Sequence, residues 1–427
     1  MMTLNRETPP ALHTIDSIGI TQPNSVLTTS GKVIYTLPAQ THSILRIDAL
    51  FKAGKRYSQN PSVPVLANSL LNKGTISFSS KEIAEKLDFY GVYIESNVGN
   101  DYARVSFYML DKFFEQVFPV IQEILQKPVY PKDELELVVK KAKQKLKISK
   151  EKVKVLASRE FMSTLYKGHP YGVLTEEDNY DAVTVKHLKE FHKEFYKNAE
   201  VLLVLSGKVS DRVIQTVGDW YDASAYHDFK PIVTNKEVEF ETAQRRVCKT
   251  KSDASQTALK IGGQTISKSH RDYTALVFVN TILGGYFGSR LIRNIREEKG
   301  YTYGIYSSVL SMVDASALII SSEVNARYTQ QAIEEVFKEI RKLQTEKVSD
   351  EELQLVRNYM TGSLLQQFDG SFSLAENFIN LQKFNLDYRY YTRLIKTINT
   401  ITKDEIMRIA NTYFDEEKLL TVAVGKC

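Results

Sequence analysis

The sequence predicts an α+β protein of two homologous α/β-sandwich domains, each a mixed, largely antiparallel sheet covered by helices and related by internal duplication. Three observations predict it. A chain of 427 residues exceeds one ordinary core and suits two. Landmarks recur, ungapped, at an offset of 218 positions: "ELELVV" from Glu134 and "ELQLVR" from Glu352, Leu156-Ala157 and Leu374-Ala375, Thr184 and Thr402, Gly207 and Gly425. Within each repeat strand-like runs gather near the start and long amphipathic helices follow, which argues against a βαβ alternation.

In chain order, "SILRIDALF" and "QTALKIGG" read as the opening strands of the two halves. A helix follows each, from about 63 to 72 and from about 273 to 283. In "YARVSFYML" the alternation puts Ala103, Val105, Phe107 and Met109 on one face of a strand. Capping boxes mark helix starts at Ser79 with Glu82, Ser349 with Glu352, and Thr402 with Glu405. The strands "EVLLVLSG" and "KLLTVAVG" close the halves at Gly207 and Gly425. The polar stretch "HDFKPIVTNKEVEFE" is the natural linker, which gives a first domain over 1–226, a linker over 227–241 and a second domain over 242–427.

Hydrophobic residues make up 43% and charged residues 25%, a globular balance that excludes a disordered or collagen-like chain. No apolar run reaches the ~18 residues of a membrane span. Residues Met1 to Leu12 hold one Arg and no apolar core, so no signal peptide is read there. The expected location is the cytoplasm, or the periplasm if a signal peptide was removed. Cys248 and Cys427 are too few for a disulfide framework or a multi-cysteine metal site. A net charge of +5, from 56 basic and 51 acidic residues, lacks the local excess of a nucleic-acid binder.

Several strings resemble the pitrilysin/insulinase family of zinc peptidases: "LLNKGT" at Leu70 to Thr75, "LYKGHPYG" at Leu165 to Gly172, and above all "LGGYFGSRLIRNIREEKGYTYGIYSS" at Leu283 to Ser308. The resemblance spans nearly the whole chain. It implies an inverted zinc motif, H-x-x-E-H, on the first helix of an active chain. There two His one turn apart bind zinc and the Glu between them activates its water, while a later helix supplies a third, acidic ligand. Counting back from "LLNKGT" puts that slot at Val65-Leu66-Ala67-Asn68-Ser69. Val65 and Ser69 stand where the His ligands would be, and Asn68 where the base would be. The third slot falls near Lys143 to Lys147, with no acidic residue between Glu136 and Glu151. The chain is therefore expected to hold no catalytic zinc of its own.

The other histidines do not replace the motif. In "HLKEFH", His187 and His192 lie five apart, about 140° around a helix, so they cannot share one ion; both are expected at the surface. His169 in "GHPYG" reads as part of a turn.

By contrast the string "GGYFGSRLIRNIREEKGYTYG" is whole. The resemblance implies that Arg296 and Tyr303, seven residues apart, are catalytic, hydrogen-bonding the scissile carbonyl and the negative charge that develops on it. It also implies that Gly284, Gly285, Tyr286 and Phe287 contact substrate. A further feature is the basic stripe Lys140, Lys143, Lys147, Lys150 and Lys154, at helical spacing on the helix that carries the third ligand in an active chain. It reads as a solvated face or as a chamber wall favouring acidic peptides.

The resemblance therefore implies a non-catalytic subunit of a heterodimeric zinc endopeptidase. Arg296 and Tyr303 would act at the zinc of a homologous partner, and peptides or unfolded segments would be cleaved in a closed chamber. Two alternatives remain: a silent structural or assembly subunit, like the core proteins of respiratory complexes that share this fold, and a peptide-binding homodimer.

Overall fold

The computed structural model describes residues 19–39, 42–232 and 245–426. The first half runs β1 (Asn24–Leu27), β2 (Val33–Pro38), β3 (Ile44–Phe51), α1 (Ser62–Ser69), α2 (Ser80–Phe89), β4 (Tyr93–Val98) and β5 (Ala103–Leu110). It continues with α3 (Phe114–Gln126), α4 (Lys132–Lys150), α5 (Val153–Leu165), α6 (Glu177–Asp181), α7 (Val185–His192), β6 (Glu200–Gly207), α8 (Asp211–Ala223) and β7 (His227–Asp228). The second half opens with β8 (Arg246–Thr250), β9 (Gln256–Thr265), α9 (Tyr273–Asn280), β10 (Thr302–Ser311) and β11 (Ser316–Asn325). It closes with α10 (Thr329–Thr345), α11 (Asp350–Gln367), α12 (Ser371–Lys383), α13 (Arg389–Thr400), α14 (Lys403–Tyr413) and β12 (Leu420–Gly425).

These strands form two mixed sheets flanked by helices, the expected fold class. The first is ordered β1-β2-β6-β3-β5-β4, with β7 beside β6, and the second β10-β11-β9-β12-β8. Five strands of each follow the same plan: β6 and β12 lie antiparallel to β3 and β9 and parallel to β2 and β8. The four predicted apolar residues of β5 are all buried under the helical layer of the first half. The predicted linker begins inside the fold, because His227–Asp228 pairs with β6 and extends the first sheet; residues 233–241 of it lie outside the described residues.

The offset of 218 acquires a physical meaning in the helices. Helices α4 and α11 begin at equivalent positions, as do α7 and α14, with Thr184 and Thr402 as their N-caps. Helices α5 and α12 correspond from first residue to last, and each crosses to the opposite half: α5 packs on β9 and β12, α12 on β6 and β2. Ala157 and Ala375, both fully buried, are where each helix meets the foreign sheet, since a small side chain lets helix and sheet approach closely. Gly207 and Gly425 end equivalent strands at φ +88° and +145°, where a Cβ would meet the Ile44 carbonyl oxygen at 2.1 Å and that of Gln256 at 2.7 Å.

Polar latches reinforce the crossing. Arg56 pairs with Asp101 at 2.9 Å and with Asp314 of the other half. Tyr171 donates to Asp101 at 2.6 Å and accepts from the Asp314 amide at 3.1 Å. The predicted N-caps are present, but only Ser79 and Glu82 close a reciprocal box. Ser349 and Thr402 cap with their hydroxyls, while the Glu352 carboxylate goes to Arg290 and that of Glu405 to Arg408.

Candidate functional site

The slot on α1 is built as structure. Asn68 is buried and donates from Nδ2 to the hydroxyl of Tyr196 at 3.0 Å, itself fully enclosed. Burial pushes the Tyr196 phenol well above its usual range, so it stays neutral and can accept that bond. Ser69 turns its hydroxyl onto the Leu66 carbonyl of its own helix at 3.1 Å, and Val65 offers only methyl groups. In the third slot, Lys143 on α4 forms an ion pair with Asp181 at 2.6 Å, which raises its pKa. An aliphatic group, a carboxamide, a self-bonded hydroxyl and an ammonium do not fit a zinc ion, which requires deprotonated or neutral-imidazole donors. Among the described residues no group of three or more His, Cys, Asp and Glu could hold a metal ion.

His192 corrects the surface assignment. Residues Leu188, Phe191 and His192 form the buried side of α7, and the imidazole lies 5.7 Å from the Tyr196 ring, stacked at 4°. Its Nε2–H donates to the Leu125 carbonyl at 2.9 Å. Burial pushes its pKa down to about 4, so it is neutral near pH 7. His187 is exposed, its Nδ1 accepting from the Thr184 amide. His169 holds the predicted turn, its Nδ1 accepting from the Tyr171 amide at 3.2 Å.

The glycine-rich string folds differently from an ordinary helix-turn-strand. Helix α9 widens into a π-helical turn over Thr281–Gly285, and a second π-helical segment spans Ile292–Glu298. Such widened turns recur where a backbone is shaped for a site. Gly284 permits the close approach of β10, because a Cβ there would meet the amide nitrogen of Ser307 at 2.7 Å. Arg290 locks the string to α11 through a bidentate pair with Glu352 at 2.8 and 2.7 Å. Asn294 ties it to α10 through Glu335 and Glu339.

Two of the four residues predicted to contact substrate are inside. Gly284 is buried, and Tyr286 is 9% exposed with its ring 4.9 Å from that of Tyr359. Gly285 and Phe287 face outward, Phe287 at 62% exposure. The guanidinium of Arg296 lies 4.6 Å over the Phe287 ring, and among the described residues it forms no ion pair. Tyr303 occupies an irregularity of β10, whose register against β11 shifts between Thr302 and Ile305. Thr302 and Ser322 build this bulge with their hydroxyls, both bonding the Gly304 carbonyl at 3.0 Å. Bulges at sheet edges re-aim a side chain, and Tyr303 stands 89% exposed. The strand β10 that carries Tyr303 packs beside the segment that carries Arg296.

The lysine stripe is partly neutralised within the chain. Lys143 pairs with Asp181, Lys150 with Glu176, and Lys154 approaches Glu323 at 3.9 Å. Lys140 and Lys147 remain exposed without ion pairs among the described residues. Among those residues no helix is long and apolar enough to cross a membrane.

Comparison with known proteins agrees with this architecture. Residues 182–360 match the family described as peptidase M16 inactive domain. The uncharacterized zinc protease YmxG of Bacillus subtilis (strain 168) is 22% identical over 353 residues, which cover 82% of this chain and 85% of that protein. The probable inactive metalloprotease YmfF of the same organism is 23% identical over 245 residues, 57% of this chain and 56% of its own. The crystal structure of a peptidase M16 inactive domain from Pseudomonas fluorescens superposes with TM-score 0.85 at 23% identity, covering 95% of this chain and 98% of that one. The periplasmic protease PqqL from Escherichia coli matches with TM-score 0.78 at 16% identity, over 99% of this chain but only 49% of its own length. The family resemblance read from the sequence is borne out: the chain is similar to M16 peptidases, and over residues 182–360 to the domain described as inactive.

Proposed function

We propose that this chain is the zinc-lacking subunit of a two-chain endopeptidase, donating Arg296 and Tyr303 to a site whose zinc is held by a homologous partner. The observation that carries the reading is a contrast. The zinc slot has been absorbed into the core through Asn68 and Tyr196, whereas Arg296 forms no ion pair among the described residues and Tyr303 projects from a built bulge into open space. A purely structural chain gains nothing from an exposed phenol held this way. The first domain (1–226) and second (242–427) would together form half of a clamshell, consistent with a longer protease that contains this whole fold in half its length.

In this reading the guanidinium and the phenol hydrogen-bond the carbonyl oxygen of a bound peptide, more strongly as charge develops on it. Gly285 and Phe287 form the adjoining wall. The substrates are peptides or unfolded segments, which alone enter a closed chamber.

The test is to combine the chain with a homologous subunit carrying the intact H-x-x-E-H motif and follow an internally quenched peptide. Arg296→Ala or Tyr303→Phe is expected to lower kcat by about 10²–10³, with KM nearly unchanged. Unchanged rates in both variants would make this a structural or assembly subunit instead. Cleavage by the purified chain alone, with one tightly bound zinc, would overturn the assignment altogether.

A further inference from the structure

The two sheets carry equivalent cross-strand rows that are finished differently. In the first sheet the row is Glu95, Ser106, Asp48 and Val204; in the second it is Tyr306, Ser321, Lys260 and Val422. The offset of 218 relates Val204 to Val422, and each neighbours the charged residue of its row. In each row a serine hydroxyl serves that charge: Ser106 donates to Asp48 at 2.5 Å, and Lys260 donates to Ser321 at 2.8 Å.

Above the first row, α12 brings down Glu376, which pairs with Arg46 and, at 2.6 Å, with Arg104, completing a network around Asp48. Above the second row lies α5, whose residue equivalent to Glu376 is Ser158. Ser158 spends its hydroxyl on the Lys154 carbonyl of its own helix at 2.8 Å. Among the described residues Lys260 forms no ion pair, and burial holds its pKa below the ordinary value.

The space where a carboxylate would sit is a cavity of about 470 Å³. It is lined by Lys154, Ser158, Arg159, Lys260, Tyr306 and Glu323 among others. Of its three cations, Arg159 is paired with Glu176 and Lys154 lies 3.9 Å from Glu323, which leaves Lys260 as the one without an ion pair among the described residues. Gly304 also lines the cavity, so it adjoins the bulge that presents Tyr303.

We infer that this cavity is a subsite for an acidic side chain of a bound peptide, the incoming carboxylate taking over Lys260 the place that Glu376 takes over the first sheet. The inference rests on the peptide-handling reading above and adds a substrate preference to it. A cation already stripped of part of its hydration, with a neutral donor beside it in Tyr306, gains more from a carboxylate than from a carboxamide.

The experiment needs no partner and no zinc. Fluorescence anisotropy is measured for the full chain with a fluorescein-labelled octapeptide of alternating Ala and Glu, and with the same peptide carrying Gln for Glu. The wild type is expected to bind the Glu peptide about tenfold more tightly. Lys260→Met and Ser158→Glu, the latter supplying an internal carboxylate, should both erase that preference, while Lys260→Arg keeps it. Lys189→Met, which changes net charge equally on the exposed face of α7, should leave it intact. Equal binding of the two peptides by the wild type, no binding of either, or equal loss in Lys189→Met would overturn the subsite. Failure of Arg296 and Tyr303 to affect cleavage would leave this result standing, so the two readings fail separately.

Discussion

The first and second sheets share strand order, strand-ending glycines and a crossing helix, yet one row is closed and the other open. On the first sheet, Asp48 is fully buried between Arg46, itself 2% exposed, and Ser106, and the network continues to Arg104 and Glu376. On the second, the same place holds Lys260 with one serine and a cavity. Sealed charge holds two halves together; unsealed charge is a cost that persists only where something else uses it. The comparison separates a joint from a binding surface more clearly than exposure does.

The largest effect should come from breaking the closed row. Burial pushes the Asp48 carboxyl up, but the guanidinium of Arg46 at 2.8 Å pulls it down, and an ion pair is the arrangement that satisfies both. Asp48→Asn keeps the shape and leaves Arg46 short of its partner inside the protein. Urea unfolding should show a loss of about 3–5 kcal/mol, the usual cost of orphaning one member of a buried pair. A loss below 1 kcal/mol would mean that Glu376 alone suffices and that the closed row is less a joint than it looks.

What the sequence disclosed follows from the range of each signal. Strand alternation and helix starts are local signals, and they match the observed elements; the offset of 218 carries Leu156-Ala157 onto Leu374-Ala375, which lie on the two helices that pack on each other's sheets. The empty zinc slot was equally legible, because ligand chemistry is absent whatever the fold. His192 was misread although its signal was present: Leu188 and Phe191 put it on the apolar side of α7. Gly284 and Tyr286, which the family resemblance offered as substrate contacts, are buried at the π-helical turn, a feature of the backbone that no local sequence signal announces. Lys260 could not be picked out locally. Its meaning depends on which helix lies over it, and that helix comes from the other half of the chain.

A second difference between the halves is titratable. His192 corresponds by the offset to Ala410, equally buried but without a proton to gain. The His192 pKa is about 4 in the folded chain, against about 6.5 when unfolded. The unfolded chain therefore binds a proton that the folded one refuses. Stability is complete above pH 6.5 and falls as pH drops toward 4, by about 2 kcal/mol at pH 5 and about 3 kcal/mol below pH 4. His192→Gln, which keeps an N–H for the Leu125 carbonyl, should flatten that part of the pH profile of unfolding. An unchanged slope between pH 7 and pH 5 would assign the acid sensitivity to other groups.

The smallest effect carries the most specific information, because its sign is opposite to the first. Lys260→Met removes a half-buried ammonium that has one hydroxyl partner and keeps a linear side chain of similar length. If the open row is a surface held ready for a ligand, its charge contributes nothing to the free chain and costs part of its hydration. The variant should then unfold at the same or slightly higher urea, a gain of up to about 1 kcal/mol, while Asp48→Asn in the matching row is severely weakened. The pair of measurements tests the comparison itself: equal losses at both positions would mean that Lys260 is as structurally committed as Asp48, and that the second sheet is closed by contacts of its own.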